Sequence, residues 1–260
     1  MEKKRSRLYK GAVRILRRFY KAPELIGTEN IPEKGAMLVG NHSKTNGPII
    51  SQLYLPGKNT TWCIGQIFTK EECRKYTYKD FWSKKPKAVR WIYKILSAII
   101  AAPLSNMINS CDLVPVYHDS RLRSTFRTAV ESLKDGNNVV FPEQNVPHNN
   151  IVYEFQDKFV DTAKYYYKKT GEKLKFVPMY IAPRLHKVIF GKPIEFNPDA
   201  PIAEERTRIC EYLMNEISET AYSLPRHTVV PYPNIPSREY PQNIREEAVV
   251  SESLRSITES

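Results

Sequence analysis

The stretch Ala36–Pro48, AMLVGNHSKTNGP, shows most directly how this chain folds. Ala36–Val39 is a short apolar run, which is typical of a buried strand. Gly40 and Asn41 end the run, and His42 stands at its exit. α/β proteins place their chemistry where a parallel strand opens into a polar loop, and an imidazole there can take a proton from a hydroxyl near neutral pH. The stretch therefore predicts a buried strand that presents His42 as a candidate base.

A second strand exit, about a hundred residues later, adds weight to His42. A single loop histidine is more often structural or solvated than functional. Asn137–Gln144, NNVVFPEQ, contains another short apolar run, and it ends on Pro142 and Glu143. The sequence therefore predicts a second strand with the Glu143 carboxylate at its exit.

Strand-like and helix-like segments alternate along most of the chain. The strands predicted after Ala36–Val39 are Thr60–Ile64, Asp112–Tyr117, Val139–Phe141 (the apolar run within Asn137–Gln144), Phe176–Ile181 and Lys187–Phe190. The predicted helices in this part are Pro48–Leu55, Ser120–Asp135, Ile151–Thr170 and Pro201–Tyr222. Phe68–Lys87 has no clear period, so no element is predicted there. The alternation predicts an α/β domain with a mixed, largely parallel sheet flanked by helices.

The N-terminal segment Met1–Lys21 is strongly basic, with nine Lys and Arg against one Glu. Its apolar residues recur at helical spacing between the basic ones. This pattern predicts a basic amphipathic helix of the kind that lies in an anionic lipid interface. The alternative is a solvated helix that packs on the domain through its narrow apolar stripe.

A second basic and apolar segment is Lys84–Leu104, KKPKAVRWIYKILSAIIAAPL. It is predicted to be a helix that Pro103 stops, with an apolar part too short to span a bilayer. Trp91 and Tyr93 beside Lys and Arg favour the headgroup zone of a membrane. A core helix of the domain is the alternative, and both can hold on different faces.

The overall charge indicates an anionic partner. The chain has 260 residues, with 40 Lys and Arg against 28 Asp and Glu, and a net charge of +12. A phospholipid surface, a phosphorylated substrate or nucleic acid fits this charge. Nucleic acid ranks last, because zinc-finger, RNA-recognition and heptad-zipper patterns are missing from the sequence. Four widely spaced cysteines and the lack of a signal-peptide pattern predict reduced thiols in a cytoplasmic protein.

Charge and proline content suggest the domain boundaries. Residues 1–21 are expected to form the membrane-surface helix, 22–224 the α/β domain, and 225–260 a Pro-rich and then polar tail. Several prolines after residue 225 argue against regular structure in the tail. The Ser- and Glu-rich end, Glu246–Ser260, is predicted to be mobile.

The order of these motifs resembles the glycerophospholipid acyltransferase family, the lysophosphatidate-type (1-acylglycerol-3-phosphate) acyltransferases. The first motif of that family is Asn-His, with an aspartate five positions after the histidine, and Asn41-His42 matches its first part. Its Ile-Pro-Val strand, Phe-Pro-Glu-Gly block and final Val-Pro strand are matched by Val114-Pro115-Val116, Phe141-Pro142-Glu143 and Val177-Pro178. Order and spacing agree over about Gly27–Ile217.

The resemblance implies a peripheral acyltransferase at the cytoplasmic face of a membrane. It would move a fatty acyl group from acyl-CoA or acyl carrier protein to the hydroxyl of a lysophospholipid-like acceptor, without a cofactor. His42 would be the general base and Glu143 a site-shaping carboxylate. His118 or Arg121 would face the anionic headgroup of the acceptor. The full set of implied substrate-binding residues is Asn41, Asn46, His118, Arg121, Pro142 and Gln144.

The sequence departs from the family pattern at the residue that orients the base. Gly47 stands where the family has its aspartate, and Gln144 replaces the glycine of the third block. Loss of the orienting carboxylate in a catalytic triad costs about 10⁴ in turnover. The amide of Asn46 or the carboxylate of Glu143 is the candidate substitute. Two hypotheses follow: a divergent acyltransferase with a rebuilt site, or a catalytically inactive lipid-binding protein of the same fold.

Other chemistry lacks a pattern in this sequence. No histidine or carboxylate pair has metal-ligand spacing on one helix. Gly-rich phosphate loops of the GxGxxG and Walker types are missing, and so is a G-x-S-x-G nucleophile elbow. A metal, a nucleotide cofactor and a serine nucleophile are therefore not predicted.

Overall fold

The computed structural model describes residues 7–82 and 86–245. Its α-helices are α1 (Arg7–Phe19), α2 (Asn46–Tyr54), α3 (Lys70–Thr77), α4 (Arg90–Asn109), α5 (Leu122–Leu133), α6 (Asp161–Thr170) and α7 (Ile202–Ser223). Its strands are β1 (Glu24–Ile26), β2 (Ala36–Gly40), β3 (Asn59–Ile64), β4 (Leu113–Val116), β5 (Asn137–Val140), β6 (Glu143–Pro147), β7 (Tyr153–Phe155), β8 (Lys175–Ala182), β9 (Lys187–Phe190) and β10 (Ile194–Glu195). The predicted mobile end, Glu246–Ser260, lies outside the described residues.

The main sheet has the order β1-β9-β8-β2-β5-β3-β4, and β10 pairs with β8 outside this path. β8 is antiparallel to β9 and β10, and the other pairs are parallel. Strands β6 and β7 form a separate hairpin. The predicted mixed, largely parallel α/β sheet is therefore confirmed. Because β2, β3, β4, β5 and β8 run parallel, their carboxyl ends meet at one edge of the sheet.

Burial of both faces explains the apolar run of β2. Met37 and Val39 pack into the core that α5, α6 and α7 form on one face of the sheet. Ala36 and Leu38 pack into the opposite core, where α2 contributes Ile50. A strand covered on both sides reads as continuous hydrophobic sequence and not as an alternating pattern.

The single helix predicted over Ile151–Thr170 is wrong in its first half. The structure has β7 and a 3₁₀ turn at Asp157–Val160 before α6 begins. The side-chain oxygen of Asn149 accepts the backbone N–H groups of Ile151 and Val152, at 2.8 and 3.0 Å. This local bond gives the backbone an alternative to the first helical turn.

The predicted stop at Pro103 is also wrong, because α4 continues through this proline to Asn109. Proline inside a helix removes one backbone hydrogen bond, and tertiary packing can offset that loss. By length and composition alone, the segment Lys87–Asn109 is long and apolar enough to cross a membrane, and 17% of its most apolar stretch is buried. The expectation that this segment is too short to span is corrected on that criterion.

Residues 225–244, here called the C-terminal strap, are irregular, as their prolines predict. A 3₁₀ turn at Ser237–Glu239 and a single bridge between Thr228 and Gln242 are its regular features. Val229 and Val230 are buried. The strap is therefore packed against the domain, close to the edge where the parallel strands end.

Candidate active site

The carboxyl edge of the sheet gathers residues from several strand exits around one cavity. His42 follows β2, His118 follows β4, and Pro142 and Glu143 follow β5. All four line a cavity of about 1040 Å³. This volume is at the upper end of the range typical of small-molecule sites.

The cavity walls are mainly apolar and aromatic. Helices α1 and α2, strand β3 and the end of α4 contribute to the wall. Apolar lining residues from these elements include Ala12, Val13, Leu16, Ile49, Leu53, Ile64, Met107 and Ile108. Cys63 also lines the cavity, and burial raises the pKa of its thiol to about 11. A thiol with this pKa stays protonated near neutral pH, which does not suit a nucleophile.

The His42 ring is held through its Nδ1 atom. Nδ1 is hydrogen-bonded to the backbone carbonyl oxygen of Lys44. A carbonyl can only accept, so Nδ1 carries the proton in the neutral ring and Nε2 keeps a lone pair. Burial lowers the pKa of His42, and the bond to the Lys44 carbonyl opposes that shift. The neutral, proton-accepting form of the imidazole is therefore favoured.

An unusual backbone turn brings the Lys44 carbonyl to the ring. Ser43 and Lys44 have φ angles of 48° and 55°, in the left-handed region that non-glycine residues seldom adopt. Two such residues in succession reverse the loop directly after His42. Strained conformations of this kind persist where the surroundings fix them, and they cluster at functional sites.

Gly47 leaves no room for the carboxylate that the family pattern has at this position. A Cβ atom on residue 47 would lie 2.7 Å from the His42 carbonyl oxygen and 2.8 Å from the Phe141 ring. The Phe141 ring also packs against the imidazole, with 5.5 Å between the ring centroids. Among residues 7–82 and 86–245, no carboxylate is hydrogen-bonded to the His42 ring. The Lys44 carbonyl is the ring's partner instead.

Glu143 binds the backbone of His42 and not its ring. Its Oε2 accepts the His42 N–H at 2.5 Å, and its Oε1 accepts the Tyr153 N–H at 3.0 Å. The side chain is almost fully buried, and this burial raises the pKa of Glu143 to about 7 against the effect of the two N–H donors. Glu143 thus ties the exit of β2 to β7, which fits the predicted site-shaping role and not the role of an orienting substitute.

Two of the predicted substrate-binding residues lie elsewhere than expected. The amide of Asn41 bridges β2 to β8, since it donates to the Ile181 carbonyl at 3.1 Å and accepts the Ile181 N–H at 2.7 Å. Arg121 is paired with Asp119 and Glu72, at 2.7 and 3.1 Å, and these carboxylates raise its pKa. Neither residue lines the cavity. Both polar groups have protein partners, and their contact with an acceptor stays a prediction.

The remaining predicted binding residues divide between the cavity and the loop after His42. His118, Pro142 and Gln144 line the cavity. Asn46 does not line it, and its amide donates to the Ser43 carbonyl at 2.9 Å. Asn46 therefore supports the turn after His42 but does not replace the missing aspartate.

Comparisons with known proteins find similarity among solved structures. No family model matches the chain, and a search of curated proteins finds no significant match. Among solved structures, the chain is similar to the crystal structure of the 1-acyl-sn-glycerophosphate (LPA) acyltransferase PlsC from Thermotoga maritima. The two share 19% identity over 84% of this chain and 83% of that chain, with a TM-score of 0.46. Values this low do not establish membership of a family.

Sequence reasoning missed three residues at the site. Lys158 is the only lysine or arginine among the described residues that line the cavity, and it lies on the 3₁₀ turn inside the segment predicted as helix. Tyr232, from the C-terminal strap, packs its ring against His42 with 5.4 Å between centroids. Lys44 contributes through its carbonyl, which every residue type carries. Neither the strap contact nor the carbonyl leaves a signal in sequence.

Proposed function

We propose that the protein is a peripheral membrane acyltransferase that moves a fatty acyl group from an acyl thioester to the hydroxyl of a lysophospholipid-like acceptor. The observation that carries the proposal is the placement of His42. Its imidazole lines a large, mostly apolar cavity, and Nδ1 is fixed by a carbonyl so that Nε2 can accept a proton. An acyl chain needs such an apolar cavity, and acyl transfer to a hydroxyl needs such a base.

The proposed reaction uses His42 as base and then as acid. Nε2 takes the proton of the acceptor hydroxyl while the hydroxyl oxygen attacks the thioester carbonyl carbon. The new C–O bond forms, the C–S bond breaks, and the imidazolium returns its proton to the leaving thiolate. Coenzyme A and acyl carrier protein remain the two candidate sources of the thioester.

Lys158 is the proposed contact for an anionic headgroup. It takes the place that sequence reasoning gave to Arg121, whose charge is already paired with Asp119 and Glu72. His118 lines the same cavity and supplies a second polar group. A lysine recognises phosphate as a point charge, so it accommodates headgroups of different shape.

Helices α1 and α4 form the proposed membrane-facing surface. The two helices pack against each other. Large apolar side chains exposed on them are Leu8, Ile15, Phe19, Trp91, Ile92, Ile95, Leu96 and Ile99. Basic side chains of α1 are exposed beside these residues, including Arg14 and Arg18. Exposed apolar and basic groups on neighbouring helices suit an anionic lipid interface.

Acyl transfer by the purified protein tests the proposal. Lysophospholipid acceptors are paired with acyl-CoA and acyl carrier protein donors, and products are read by mass spectrometry. We expect the wild type to form a diacyl product. His42→Ala should abolish transfer and leave binding to anionic vesicles unchanged, because His42 lines the cavity and is not one of the exposed residues of α1 and α4.

Within the part of the chain that the structure describes, the His42 ring has no carboxylate partner, and this favours a second candidate function, a catalytically inactive lipid-binding protein. This candidate predicts saturable vesicle binding that depends on α1 and α4, with no product from any donor and acceptor pair. A product that His42→Ala forms as fast as the wild type would contradict both candidates.

A further inference from the structure

The C-terminal strap is a closed loop that is fastened at its base. His227 and Asn243 bond to each other: the His227 N–H donates to the Asn243 side chain at 2.6 Å, and the Asn243 N–H donates to the His227 carbonyl at 3.1 Å. Asn150 donates to the carbonyls of Gln242 and Ile244, at 2.7 and 2.6 Å. The two ends of the loop are therefore held together, as in a compact Ω-type loop.

The base of the strap is also tied to the sheet and to α7. The Tyr180 hydroxyl on β8 is hydrogen-bonded to His227 Nε2 at 2.7 Å. The Asn243 amide donates to the Ala221 carbonyl of α7 at 2.8 Å. Because buried polar groups hold it at both ends, the strap is a fixed part of the domain and not a loose tail.

The far end of the strap binds the side chain of Lys44. The Lys44 ammonium donates to the Ile235 carbonyl at 3.2 Å and to the Asn234 side chain at 3.4 Å. It also lies 4.7 Å from the centroid of the Tyr240 ring, which is cation–π distance. Three separate strap residues thus hold one lysine.

That same lysine supplies the carbonyl that orients His42. Ser43 and Lys44 adopt left-handed backbone conformations. Non-glycine residues keep such conformations only where the surrounding structure stabilises them. The Oγ atom of Ser43 is buried without a hydrogen-bond partner in the described part of the chain, so the Ser43 side chain adds no polar bond. The Ser43 carbonyl accepts the Asn46 side-chain amide at 2.9 Å and the Asn46 backbone N–H at 3.1 Å. The contacts of the Lys44 side chain with the strap support the other residue of this turn, Lys44 itself.

We propose that the C-terminal strap is a positioning element of the active site: by gripping the Lys44 side chain, it holds the Lys44 carbonyl against Nδ1 of His42. The strap thereby does the orienting work that a carboxylate at residue 47 has no room to do. Tyr232 of the strap also packs the edge of its ring against the imidazole, as a second contact between the strap and His42. The inference rests on His42 being the base in the proposed function.

The direct test is the tautomer of His42, read by ¹⁵N-histidine NMR of the full chain without substrate. His42→Ala identifies the His42 signals. The wild type should show the Nδ1–H form. Lys44→Met should shift the His42 ring to a mixture of tautomers. The double variant Asn234→Ala, Tyr240→Leu should do the same. It changes only partly exposed strap residues, so it avoids a folding defect at the turn.

Two further variants separate positioning from a general effect on the strap. Lys44→Arg keeps a cation that can reach the same carbonyl and ring, and it should restore the Nδ1–H form. Arg238→Ala is the matched control, since Arg238 is exposed on the same strap and contacts Glu239 and not Lys44. It should leave the His42 spectrum and acyl transfer at wild-type values.

Kinetics give the second readout. Misplacement of a reacting group by about 1 Å can cost about 10²-fold in rate, so Lys44→Met should lower kcat by about that factor with KM little changed. A wild-type ring in the Nε2–H form, or an unchanged His42 spectrum in every variant, would overturn the positioning role. The NMR spectra do not depend on acyl transfer. If no transfer is found but the His42 tautomer changes in the strap variants, the proposed function fails while the positioning of the ring by the strap stands.

Discussion

At the scale of single residues, the space at residue 47 decides how the His42 ring can be oriented. A side chain there meets the His42 carbonyl and the Phe141 ring at distances that ordinary contacts do not reach. The backbone carbonyl of Lys44 occupies the orienting role at Nδ1 instead. A carbonyl fixes the tautomer but carries no full charge, so it stabilises the imidazolium less than a carboxylate does.

Placing an aspartate at this position should therefore harm the protein. We expect Gly47→Asp to lower the free energy of unfolding by about 1–3 kcal/mol, because overpacking displaces the His42 backbone and the Phe141 ring. Acyl transfer should fall and not rise. Urea unfolding and the transfer assay measure both effects. Gly11→Ala, where a Cβ meets nothing within 4 Å, is the control and should not destabilise. Higher activity in Gly47→Asp would contradict the carbonyl-oriented site.

The buried carboxyl of Glu143 should make stability depend on pH. Burial raises its pKa from 4.5 to about 7, so the folded chain keeps a proton that the unfolded chain releases between these values. The contribution of Glu143 to stability is then full below about pH 4.5 and is lost as pH rises towards 7, by about 3 kcal/mol in total. His42 has the opposite sign, since its lowered pKa costs stability as pH falls below its usual value.

Glu143→Gln isolates this effect. Its amide can accept only one of the two N–H groups, so the variant should be less stable than the wild type by about 1–3 kcal/mol at low pH. The difference in free energy of unfolding should narrow as pH rises, because the wild type loses stability as Glu143 ionises and the variant has no carboxyl to ionise. Urea unfolding at a series of pH values gives the difference, and a gap that stays constant with pH would contradict a raised pKa of Glu143.

At the scale of elements, the exposed stripe of α4 is the clearest candidate for lipid contact. Trp91, Ile95 and Ile99 follow one another at a spacing of four residues and are 63%, 52% and 65% exposed. Residues four apart lie on one face of a helix. Large apolar residues that share an exposed face indicate an interaction surface.

Replacing two of these residues should weaken vesicle binding. Burying one large aliphatic side chain contributes about 1.5–3 kcal/mol, so Ile95→Ser with Ile99→Ser should lower affinity for phosphatidylglycerol vesicles by about 10²-fold or more. Vesicle co-sedimentation measures the change. Tyr167→Ser on α6, which packs on the opposite side of the sheet, is the matched control and should bind as the wild type does. Equal losses in both variants would argue against α4 as the lipid contact.

How well each element could be predicted depends on whether its cause is local. The β2 and β5 strands were predictable because both faces are buried, which leaves an apolar run in the sequence. The spacing of Ile151, Phe155 and Phe159 is helical, but in the structure a hairpin and a 3₁₀ turn bury these residues. Their spacing therefore predicted a helix where none forms. For α3, a signal was present: Thr69 caps the helix by accepting the Glu72 N–H, in a T-x-x-E pattern.

The site was predictable only in part, for the same physical reason. Strand exits at one sheet edge brought His42, His118 and Glu143 together from sequence logic alone. The orienting carbonyl could not be foreseen, because it depends on a left-handed turn and on strap residues about 190 positions from Lys44. Every residue type has a backbone carbonyl, so the sequence does not indicate which carbonyl a long-range contact will place at the site.

At the scale of the whole molecule, the net charge of +12 should add a salt-sensitive part to membrane binding. A basic residue near an anionic surface contributes about 1 kcal/mol, and this attraction acts within a Debye length. The proposed apolar contacts of α1 and α4 with lipid should not depend on salt in this way. The two contributions can therefore be separated by ionic strength.

Affinity for phosphatidylglycerol vesicles should fall as salt rises from about 0.01 M to about 1 M, where the Debye length shortens from about 30 Å to about 3 Å. A residual affinity should persist at high salt in the wild type and be weaker in the Ile95→Ser, Ile99→Ser variant. Titrations against vesicles at each salt concentration supply the measurement. Binding that disappears entirely at high salt in the wild type would show that charge alone attaches the protein.

The inner side of α1 lines the cavity with Tyr9, Ala12, Val13 and Leu16, while its outer side exposes Leu8, Ile15 and Phe19. One helix, about 10 Å across with its side chains, thus separates the interior from the proposed bilayer contact. If α1 rests in lipid, a hydrocarbon tail can pass from the leaflet into the protein without meeting water, whose contact costs about 0.8 kcal/mol for each methylene. The acceptor would then enter the cavity sideways from the bilayer and would not first be extracted into water. Its concentration in the leaflet would set the concentration that the protein encounters.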